Sequence, residues 1–232
     1  MESATSRHES IFSAALFNPR RVTIAGVGAG GGFVCLGLAK LGVRNIAIYD
    51  TDIVTLPNIG PSIYGRKHVG MRKVDACAAI VHDLSDNVEV EACAKPIEDA
   101  EQLGTVVFLC VDDMEVRKKI VLDCASVHTA HVHRIIEGRM GALFAQAFSI
   151  DPHNAEHRED WLRYWFPQGA AESGLPGCGA HPVSLGPVAS VVANFMVLQF
   201  MQWWAHARGG DVSIVNEIRF DAESMQTDPR VW

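Results

Sequence analysis

The sequence predicts an α/β protein, a doubly wound parallel sheet that antiparallel strands extend in the C-terminal half. Three observations lead to this fold class. Apolar runs typical of buried strands alternate with amphipathic segments through the first half. A glycine-rich turn joins the first apolar run to the first helical segment. In the second half, the apolar runs in AHVHRIIEGRMGALFAQAFSI follow each other without an intervening helix, which favours antiparallel pairing.

The first half is predicted to consist of strand–helix units. A short helix over Ser10–Phe17 ends before Pro19, because proline restricts the residue that precedes it. The predicted strands are RRVTIA, RNIAIYD, VEVEACA and TVVFLCV. The helices predicted after the first, second and fourth strands are GGFVCLGLAKLG, GMRKVDACAAIVHDLS and MEVRKKIVLDCASV. This alternation favours parallel strands with right-handed crossovers.

The second half departs from this alternation. Two antiparallel strands are predicted, joined at Gly138-Arg139. The polar, aromatic and Gly/Pro-rich stretch 151–187 is long for a simple connection, which predicts a functional loop or a partly ordered lid. The apolar run VASVVANFMVLQFMQWWA carries three amide side chains, so it is predicted to be a buried core helix and not a membrane span. The segment DVSIVNEIRFDAES supplies a last strand or pair.

Composition narrows the class of protein. A chain of 232 residues suits one domain with a large core. The net charge of −7 and the pI of about 5.8 disfavour a nucleic-acid binder, which usually carries a basic face. The six cysteines form no C-x-x-C pair, and the polar start MESATSRHES lacks the apolar core of a signal peptide. We therefore expect a cytoplasmic protein with no membrane or nucleic-acid partner.

The glycine-rich turn carries the pattern G-x-G-x-x-G at Gly26, Gly28 and Gly31. It follows a predicted strand and opens a helix, where backbone N–H groups and the helix dipole favour a phosphate. Asp50 ends the next strand, where a carboxylate can accept hydrogen bonds from ribose hydroxyls. These features predict a nucleotide site on a Rossmann-like sheet. The alternative is a tight turn that needs glycine only for close packing, and the pattern does not choose the nucleotide.

Four stretches occur in an order that is specific to one family: RVTIAGVGAGGG, then YDTDIVTLPNIG with VGMRK, then LCVDDMEVRKKI, then GCGAHPVSLGPVASVVANFMVLQFM. In them the chain resembles the MoeB/ThiF/HesA family, related to the adenylation domain of ubiquitin-activating enzymes. The family activates the C-terminal carboxylate of a ubiquitin-like or sulfur-carrier protein, which attacks the α-phosphate of ATP. The resemblance implies a single ThiF-like adenylation domain over 1–232, with an N-terminal arm at 1–20, a crossover-type loop at 151–187 and a homodimeric state.

The resemblance also implies roles for individual residues. Asp50 would bind ribose, Lys73 would contact phosphate, and Asp112 would hold or replace Mg²⁺ near the triphosphate of ATP. Asn58 would help to seat the reacting phosphates, and Arg117 would pair with an acid near a strand end. Such a site suits phosphoryl chemistry, in which catalysis is largely positioning and charge neutralisation.

Each of these residues has a simpler explanation. Lys73 would otherwise be a solvated surface lysine at a helix start. Asp112 or Asp113 would serve as the N-cap of the following helix. Asp52, a further candidate for nucleotide binding, would stabilise a turn, and Asn58 would shape one.

The sequence departs from the family at Pro61-Ser62, where the family usually carries Arg-Gln. In the family, that arginine contacts the phosphates of ATP. A guanidinium is not readily replaced there, because it binds phosphate in a bidentate manner. Arg66 is the nearest candidate to reach back to the nucleotide. The other candidates, from this chain or from a second subunit, are Lys67, Arg7, Arg20 and Arg21.

Cys178 is the thiol of most interest because it lies in the Gly/Pro-rich segment ESGLPGCGAHPVSLG, and His181 follows three residues later. Its thiolate would take the acyl group from the adenylate as a thioester or acyl disulfide, or else Cys178 has a structural role. The histidines of HTAHVH are expected to pack on a strand or at a dimer interface and not to bind metal, because no cysteine completes a tetrahedral set.

The leading hypothesis is therefore ATP-dependent adenylation of the C-terminal carboxylate of a ubiquitin-like or sulfur-carrier protein, with or without transfer to Cys178. One alternative is a catalytically weakened binding subunit, which Pro61-Ser62 favours. A second is an adenylating enzyme for a small-molecule or tRNA carboxylate. A third, a nicotinamide-dependent oxidoreductase, rests on the glycine pattern alone.

Overall fold

The computed structural model describes residues 5–85, 87–167 and 184–232. These residues form one eight-stranded sheet with helices packed on it. The strands are β1 (Val22–Ala25), β2 (Asn45–Tyr49), β3 (Glu89–Cys93), β4 (Val106–Leu109), β5 (Arg134–Met140), β6 (Phe144–Ile150), β7 (Glu217–Asp221) and β8 (Gln226–Arg230). The α-helices are α1 (Ala14–Phe17), α2 (Ala29–Leu41), α3 (Lys73–His82), α4 (Met114–Asp123), α5 (Ala155–Leu162) and α6 (Gly186–Ala207).

The predicted fold class is confirmed. The strand order is β3-β2-β1-β4-β5-β6-β7-β8, with parallel pairing from β3 through β5 and antiparallel pairing from β5 through β8. Strands β1 and β4 are buried along their whole length, as expected of parallel strands covered on both faces. The strand order reverses between β1 and β4. In open α/β sheets, ligands bind outside the carboxyl ends of the strands at such a point.

The turn between β5 and β6 lies at residues 141–143, where the Gly141 N–H donates to the Phe144 carbonyl oxygen over 2.8 Å. The prediction of a turn at Gly138-Arg139 is wrong, because both residues lie inside β5, opposite Ala147 and Gln146. A Cβ at Gly138 would lie 2.4 Å from the Met196 sulfur on α6. Glycine is needed here so that the helix can approach the sheet closely, and not to reverse the chain.

Helix α6 is the core helix that the sequence predicts. It packs along α2, β5 and β6, and Met196 and Phe200 on its inner face are fully buried. Among the described residues, it is the one helix that is long and apolar enough to cross a membrane. Just over half of its apolar window is buried inside the protein. In this structure α6 forms much of the hydrophobic layer on one face of the sheet.

In two segments the secondary structure differs from the prediction. The stretch 151–187 contains helix α5, which Asn154 caps by accepting from the backbone N–H groups of Glu156 and His157. At the N-terminus, α1 is shorter than the predicted Ser10–Phe17 helix. Phe12 and Phe17 pack on Phe200 with ring centroids 5.5 and 5.0 Å away, so the described part of the predicted arm lies on this chain's own core.

Candidate nucleotide-binding site

A cleft of about 890 Å³ lies at the carboxyl ends of the parallel strands. Residues that follow β1, β2, β3 and β4 line it, together with the start of α3 and the end of β5. The structure brings together in this cleft most of the residues that the sequence nominates: Gly26, Gly28, Asp50, Asp52, Asn58, Lys73 and Asp112. Gly31 and Arg66 are not among the residues that line it.

The three glycines of the loop have different reasons to be glycine. Gly26 has φ +85°, and a Cβ there would lie 2.9 Å from the Cys110 backbone. A Cβ at Gly31 would lie 1.9 Å from the Gly26 carbonyl oxygen. A Cβ at Gly28 would meet no atom of the described residues within 4 Å. Gly26 and Gly31 therefore serve close packing, whereas the described part of the chain leaves the space at Gly28 open.

The open space at Gly28 adjoins the start of helix α2. Gly28 is the N-cap of α2 and provides no side-chain acceptor for the first backbone N–H groups. An α-helix leaves these N–H groups without intrahelical partners, and its dipole makes this end positive. The loop therefore suits an anion such as a phosphate, and Gly28 has no side chain to obstruct its approach.

Asp50 supports the glycine loop as well as lining the cleft. Its Oδ2 accepts from the Val27 N–H over 2.9 Å, and its Oδ1 accepts from the Asp52 N–H over 2.9 Å. A carboxylate oxygen can accept more than one hydrogen bond, so Asp50 retains acceptor capacity for the hydroxyls of a ribose. The same side chain thus fixes the loop and is available to a nucleoside.

Lys73 is not a solvated surface lysine. Its side chain is only 12% exposed, and its Nζ lies 2.7 Å from Asp52 Oδ2. Lys73 begins α3, and Asp52 lies in the segment after β2, so the ion pair holds the ammonium group beside the glycine loop. An ammonium has three N–H donors, and two of those on Lys73 have no acceptor among the described residues.

Tyr64 is a structural element of the site that the sequence did not reveal. Its hydroxyl lies 2.5 Å from the Val27 carbonyl oxygen and 3.1 Å from that of Lys73, and can donate to either. The ring is buried, and this burial raises the pKa of the Tyr64 hydroxyl, which therefore stays protonated. Tyr64 connects the glycine loop to the start of α3. No local pattern indicates this role, because the contacts join segments distant in sequence.

The two interpretations of Asn58 both find support. Its Oδ1 accepts from the N–H and the hydroxyl of Thr55 over 2.8 and 2.9 Å, which shapes the turn of the short helix Leu56–Asn58. Asn58 also lines the cleft, together with Pro61 and Ser62.

Asp112 and Asp113, the two aspartates after β4, differ in their contacts. Asp113 is the N-cap of α4, and its Oδ1 accepts from the N–H groups of Glu115 and Val116 over 2.8 and 3.1 Å. Both aspartates line the cleft, and Asp112 is not needed for the cap. The described residues contain no cluster of three or more His, Cys, Asp or Glu side chains arranged to hold a metal. A Mg²⁺ ion at Asp112 would therefore need phosphate oxygens and water, which is usual for Mg²⁺.

Arg117 pairs with an acid, as predicted, and the acid is Glu137. Arg117 Nη1 lies 2.5 Å from Glu137 Oε1, and Arg117 Nε donates to the Val111 carbonyl oxygen over 2.7 Å. Glu137 is fully buried and also accepts from Arg139 and from the indole N–H of Trp161. Burial acts to raise the pKa of Glu137, but Arg139 and Arg117 outweigh it and hold that pKa at about 2.

The cations that line the cleft differ from those that the sequence nominated to replace the missing arginine. Arg66 and the other candidates (Lys67, Arg7, Arg20 and Arg21) are not among the residues lining the cleft. Arg20 stacks on Trp204 at 4.7 Å, and Arg21 pairs with Glu91 at 2.5 Å. The cations that do line the cleft are Lys73, Lys95, Arg117 and Arg139.

Cys178 and His181 lie within 168–183, outside the described residues, so the proposed thiol role stays a prediction. The histidines of HTAHVH precede β5, which begins at Arg134, so the prediction that they lie on a strand is wrong. His131 is exposed, and its Nε2 lies 3.0 Å from the Leu103 carbonyl oxygen. Phe166, from the aromatic segment after α5, lines the cleft, and Trp161 is fully buried under the sheet.

Taken together, the sheet and the cleft define a Rossmann-like α/β protein in which a glycine loop, Lys73 and Asp112 line one cleft. The ThiF family model matches residues 13–230, and the chain belongs to the ThiF family. Ubiquitin-like modifier-activating enzyme 5 from Bombyx mori is 26% identical over 121 residues, which are 45% of this chain and 31% of that protein. The Drosophila ananassae protein of the same name gives the same identity and coverage. The match thus spans about a third of the length of these relatives.

Solved structures share the fold at low sequence identity. E. coli MccB, solved with ATP, superposes with a TM-score of 0.72 at 15% identity over 100% of this chain and 72% of that one. PaaA superposes with a TM-score of 0.68 at 18% identity, over 91% of this chain and 72% of that one. These likenesses show the fold of the chain.

Proposed function

We propose that the protein is an ATP-dependent adenylating enzyme that activates the C-terminal carboxylate of a ubiquitin-like or sulfur-carrier protein or of a peptide. The main observation is that the open phosphate loop at Gly28 shares one cleft with Lys73, Asp50 and Asp112. Similarity to proteins named ubiquitin-like modifier-activating enzyme 5 supports a protein substrate. The fold shared with MccB, which was solved with ATP and with MccA, supports ATP as the nucleotide.

In the proposed reaction, an oxygen of the substrate carboxylate attacks the α-phosphorus of ATP. A bond forms between that oxygen and the α-phosphorus, and the bond to the oxygen bridging to the β-phosphorus breaks. Pyrophosphate leaves with the electron pair, and nothing is oxidised or reduced. The protein's task is to hold the reactants in line and to offset negative charge.

The residues of the cleft are suited to this task. The N–H groups around Gly28 and the ammonium of Lys73 would offset charge on the phosphates, since both are fixed before ATP arrives. Asp50 would bind the ribose hydroxyls while it supports the loop. Asp112 would hold Mg²⁺, which would supply further positive charge at the phosphates when bound.

We also propose that the acyl group is transferred to Cys178, that the protein is a homodimer and that it is cytoplasmic. Transfer would break the acyl–phosphate bond and form a bond to the Cys178 sulfur, releasing AMP. Cys178→Ser should then leave adenylation intact and remove any acyl-enzyme that hydroxylamine or a thiol can cleave.

A second candidate is a binding subunit with weakened catalysis. It is favoured by Pro61-Ser62 at the place of the phosphate-binding arginine, and by the position of Arg66 outside the lining of the cleft. Such a subunit would bind ATP and a carrier protein without forming the adenylate.

The first experiment is a titration of the purified protein with ATP and with NAD, followed by ATP–pyrophosphate exchange with carrier proteins that end in Gly-Gly. We expect ATP to bind in preference to NAD, and exchange to need a free C-terminal carboxylate. Lys73→Ala and Asp112→Ala should abolish exchange. Lys119→Ala is the matched control, because Lys119 is 60% exposed and pairs with Asp123 along helix α4. ATP binding without exchange for any carrier would overturn the enzyme proposal in favour of the binding subunit.

A further inference from the structure

Arg139 is a buried cation that lines the cleft, and it is not one of the residues that would bind ATP. It lies in β5, the strand on the far side of β4 from the phosphate loop. Its side chain is 11% exposed, yet the residue lines the cleft. A guanidinium held beside a cleft at this exposure is costly to bury unless partners satisfy it, so its hydrogen bonds are informative.

The guanidinium of Arg139 is only partly used by the protein. Its Nε donates to Glu137 Oε1 over 2.7 Å, and its Nη2 donates to Glu137 Oε2 over 3.2 Å. Its Nη1 donates to the Tyr164 carbonyl oxygen over 2.5 Å. Arginine has five N–H groups, so one on Nη1 and one on Nη2 remain without an acceptor among the described residues. Spare N–H groups of a guanidinium can donate to the oxygens of a carboxylate.

The charge around Arg139 also favours an anion. Arg117 and Arg139 share the single carboxylate of Glu137, which stays ionised, so the three side chains carry a net charge of +1. Arg117 also donates from Nε to the Val111 carbonyl oxygen and from Nη1 to the Gly138 carbonyl oxygen, which leaves the two N–H groups of its Nη2 without an acceptor among the described residues. Arg117 lines the cleft as well, so both arginines have spare donors for an anion there.

Arg139 is held rigidly. Its guanidinium lies 4.8 Å from the centroid of the Phe148 ring and 5.6 Å from that of Trp161, and Glu137 fixes one edge of it. Since the group is already in place, an anion that binds there does not pay for ordering a long side chain. A lysine at this position would keep the charge but lose the planar fork.

The position of Arg139 in the sheet indicates where in the cleft its anion would lie. Asp50 follows β2, the phosphate loop follows β1, and Asp112 follows β4, so these residues account for a nucleotide laid across three strands. Neighbouring strands are about 4.8 Å apart, which puts β5 about 10 Å from β1. In the strand order, β5 is farther from β2 than β1 and β4 are, so Arg139 would meet an anion beyond the nucleoside.

We propose that Arg139 binds the substrate carboxylate that the enzyme adenylates, through its two spare N–H groups, and that Glu137 positions it. This inference rests on the proposed function and names the residue that recognises the acyl substrate. A phosphate of ATP offers the same chemistry to a guanidinium, so the test must separate the two sources of anion.

The test compares three probes by calorimetry: ATP, sulfamoyladenosine, and the sulfamoyladenosine that carries an N-acetyl-glycylglycyl group and imitates the acyl-adenylate. The variant is Arg139→Lys, which keeps a charge beside Glu137, and Arg139→Ala is made as a second variant. The matched control is Arg219→Lys, because Arg219 also pairs with a fully buried glutamate two residues earlier, over 2.5 Å, but does not line the cleft. Thermal unfolding of each variant without ligand verifies that it is folded.

We expect the wild type to bind the acylated probe more tightly than sulfamoyladenosine. Arg139→Lys should weaken the acylated probe at least 10-fold while the Kd of ATP changes less than about twofold. Arg219→Lys should change neither. An equal loss for ATP would show that Arg139 serves the phosphates, and unchanged binding of the acylated probe in both folded variants would show a structural role. Either result overturns this inference but leaves the proposed function standing. A wild type that binds no ATP would overturn the proposed function itself.

Discussion

Replacing Gly28 with alanine should separate ligand binding from folding in the phosphate loop. The added methyl group at Gly28 meets no atom of residues 5–85, 87–167 and 184–232 within 4 Å, so we expect a ligand in the cleft to contact it. At Gly31, three residues later, the same change puts a Cβ 1.9 Å from the Gly26 carbonyl oxygen. The two substitutions are chemically identical and lie in one loop, but the structure predicts opposite consequences for them.

The magnitudes follow from these contacts. For Gly28→Ala, no packing contact is lost or strained, so the free energy of unfolding should change by less than about 1 kcal/mol. A hydrogen bond to a charged group is worth about 1.5–3 kcal/mol, so losing one phosphate contact should raise the Kd of ATP about 10- to 100-fold. For Gly31→Ala, the backbone must shift to relieve the overlap, which should cost about 1–3 kcal/mol or more.

Calorimetric titration with ATP and unfolding in urea measure the two effects on the same preparations. We expect Gly28→Ala to unfold like the wild type and to bind ATP poorly, and Gly31→Ala to unfold at lower urea. A folded Gly28→Ala variant that binds ATP within about twofold of the wild type would refute the argument that this loop holds a phosphate.

Three further variants test the surroundings of the loop. Lys73→Ala should raise the Kd of ATP at least about 10-fold in calorimetry, because it removes an ammonium held beside the phosphates, and an unchanged Kd would contradict its role. Tyr64→Phe should lower the free energy of unfolding by about 1 kcal/mol and weaken ATP binding a few-fold, and a variant with wild-type values in both assays would show that the hydroxyl does not connect the loop to α3. Glu137→Gln should lower the free energy of unfolding by about 3 kcal/mol in urea, because two buried arginines lose their counter-charge, whereas Glu91→Gln at a surface ion pair should cost less than about 0.5 kcal/mol. Since the pKa of Glu137 falls from its ordinary 4.5 to about 2 on folding, its contribution is present above pH 4.5 and is lost as the pH falls towards 2, and a Glu137→Gln variant with the wild-type acid profile would contradict this.

The features that the sequence predicted well are those that depend on local patterns. The buried strands, the glycine loop and the acid after β2 are set by apolar runs and spacing along the chain, and the structure has each of them in order. The division between Asp112 and Asp113 required the structure, because either aspartate is an acceptable helix cap by sequence alone.

The features that the sequence missed depend on contacts between distant segments. The glycine at position 138 suggested a turn, but it lies inside β5. Met196 on α6 packs against it and leaves no room for a Cβ. The error also hid Arg139, which was predicted in a turn and lies inside β5 beside the cleft. Tyr64 was missed for the same kind of reason, since its partners Val27 and Lys73 come from other elements. Helix α5 did have a local signal, the Asn154 cap, inside a stretch whose composition favours a loop.

The most direct test of the central claim follows an oxygen atom. A carrier protein or peptide labelled with ¹⁸O in its C-terminal carboxylate is incubated with the enzyme and ATP, and the released AMP is analysed by mass spectrometry. If the carboxylate attacks the α-phosphorus, AMP should gain one ¹⁸O atom, and the Lys73→Ala variant should form little labelled AMP. If the wild-type enzyme instead released AMP without the label, the account would be contradicted, because a group other than the carboxylate would have attacked the α-phosphorus.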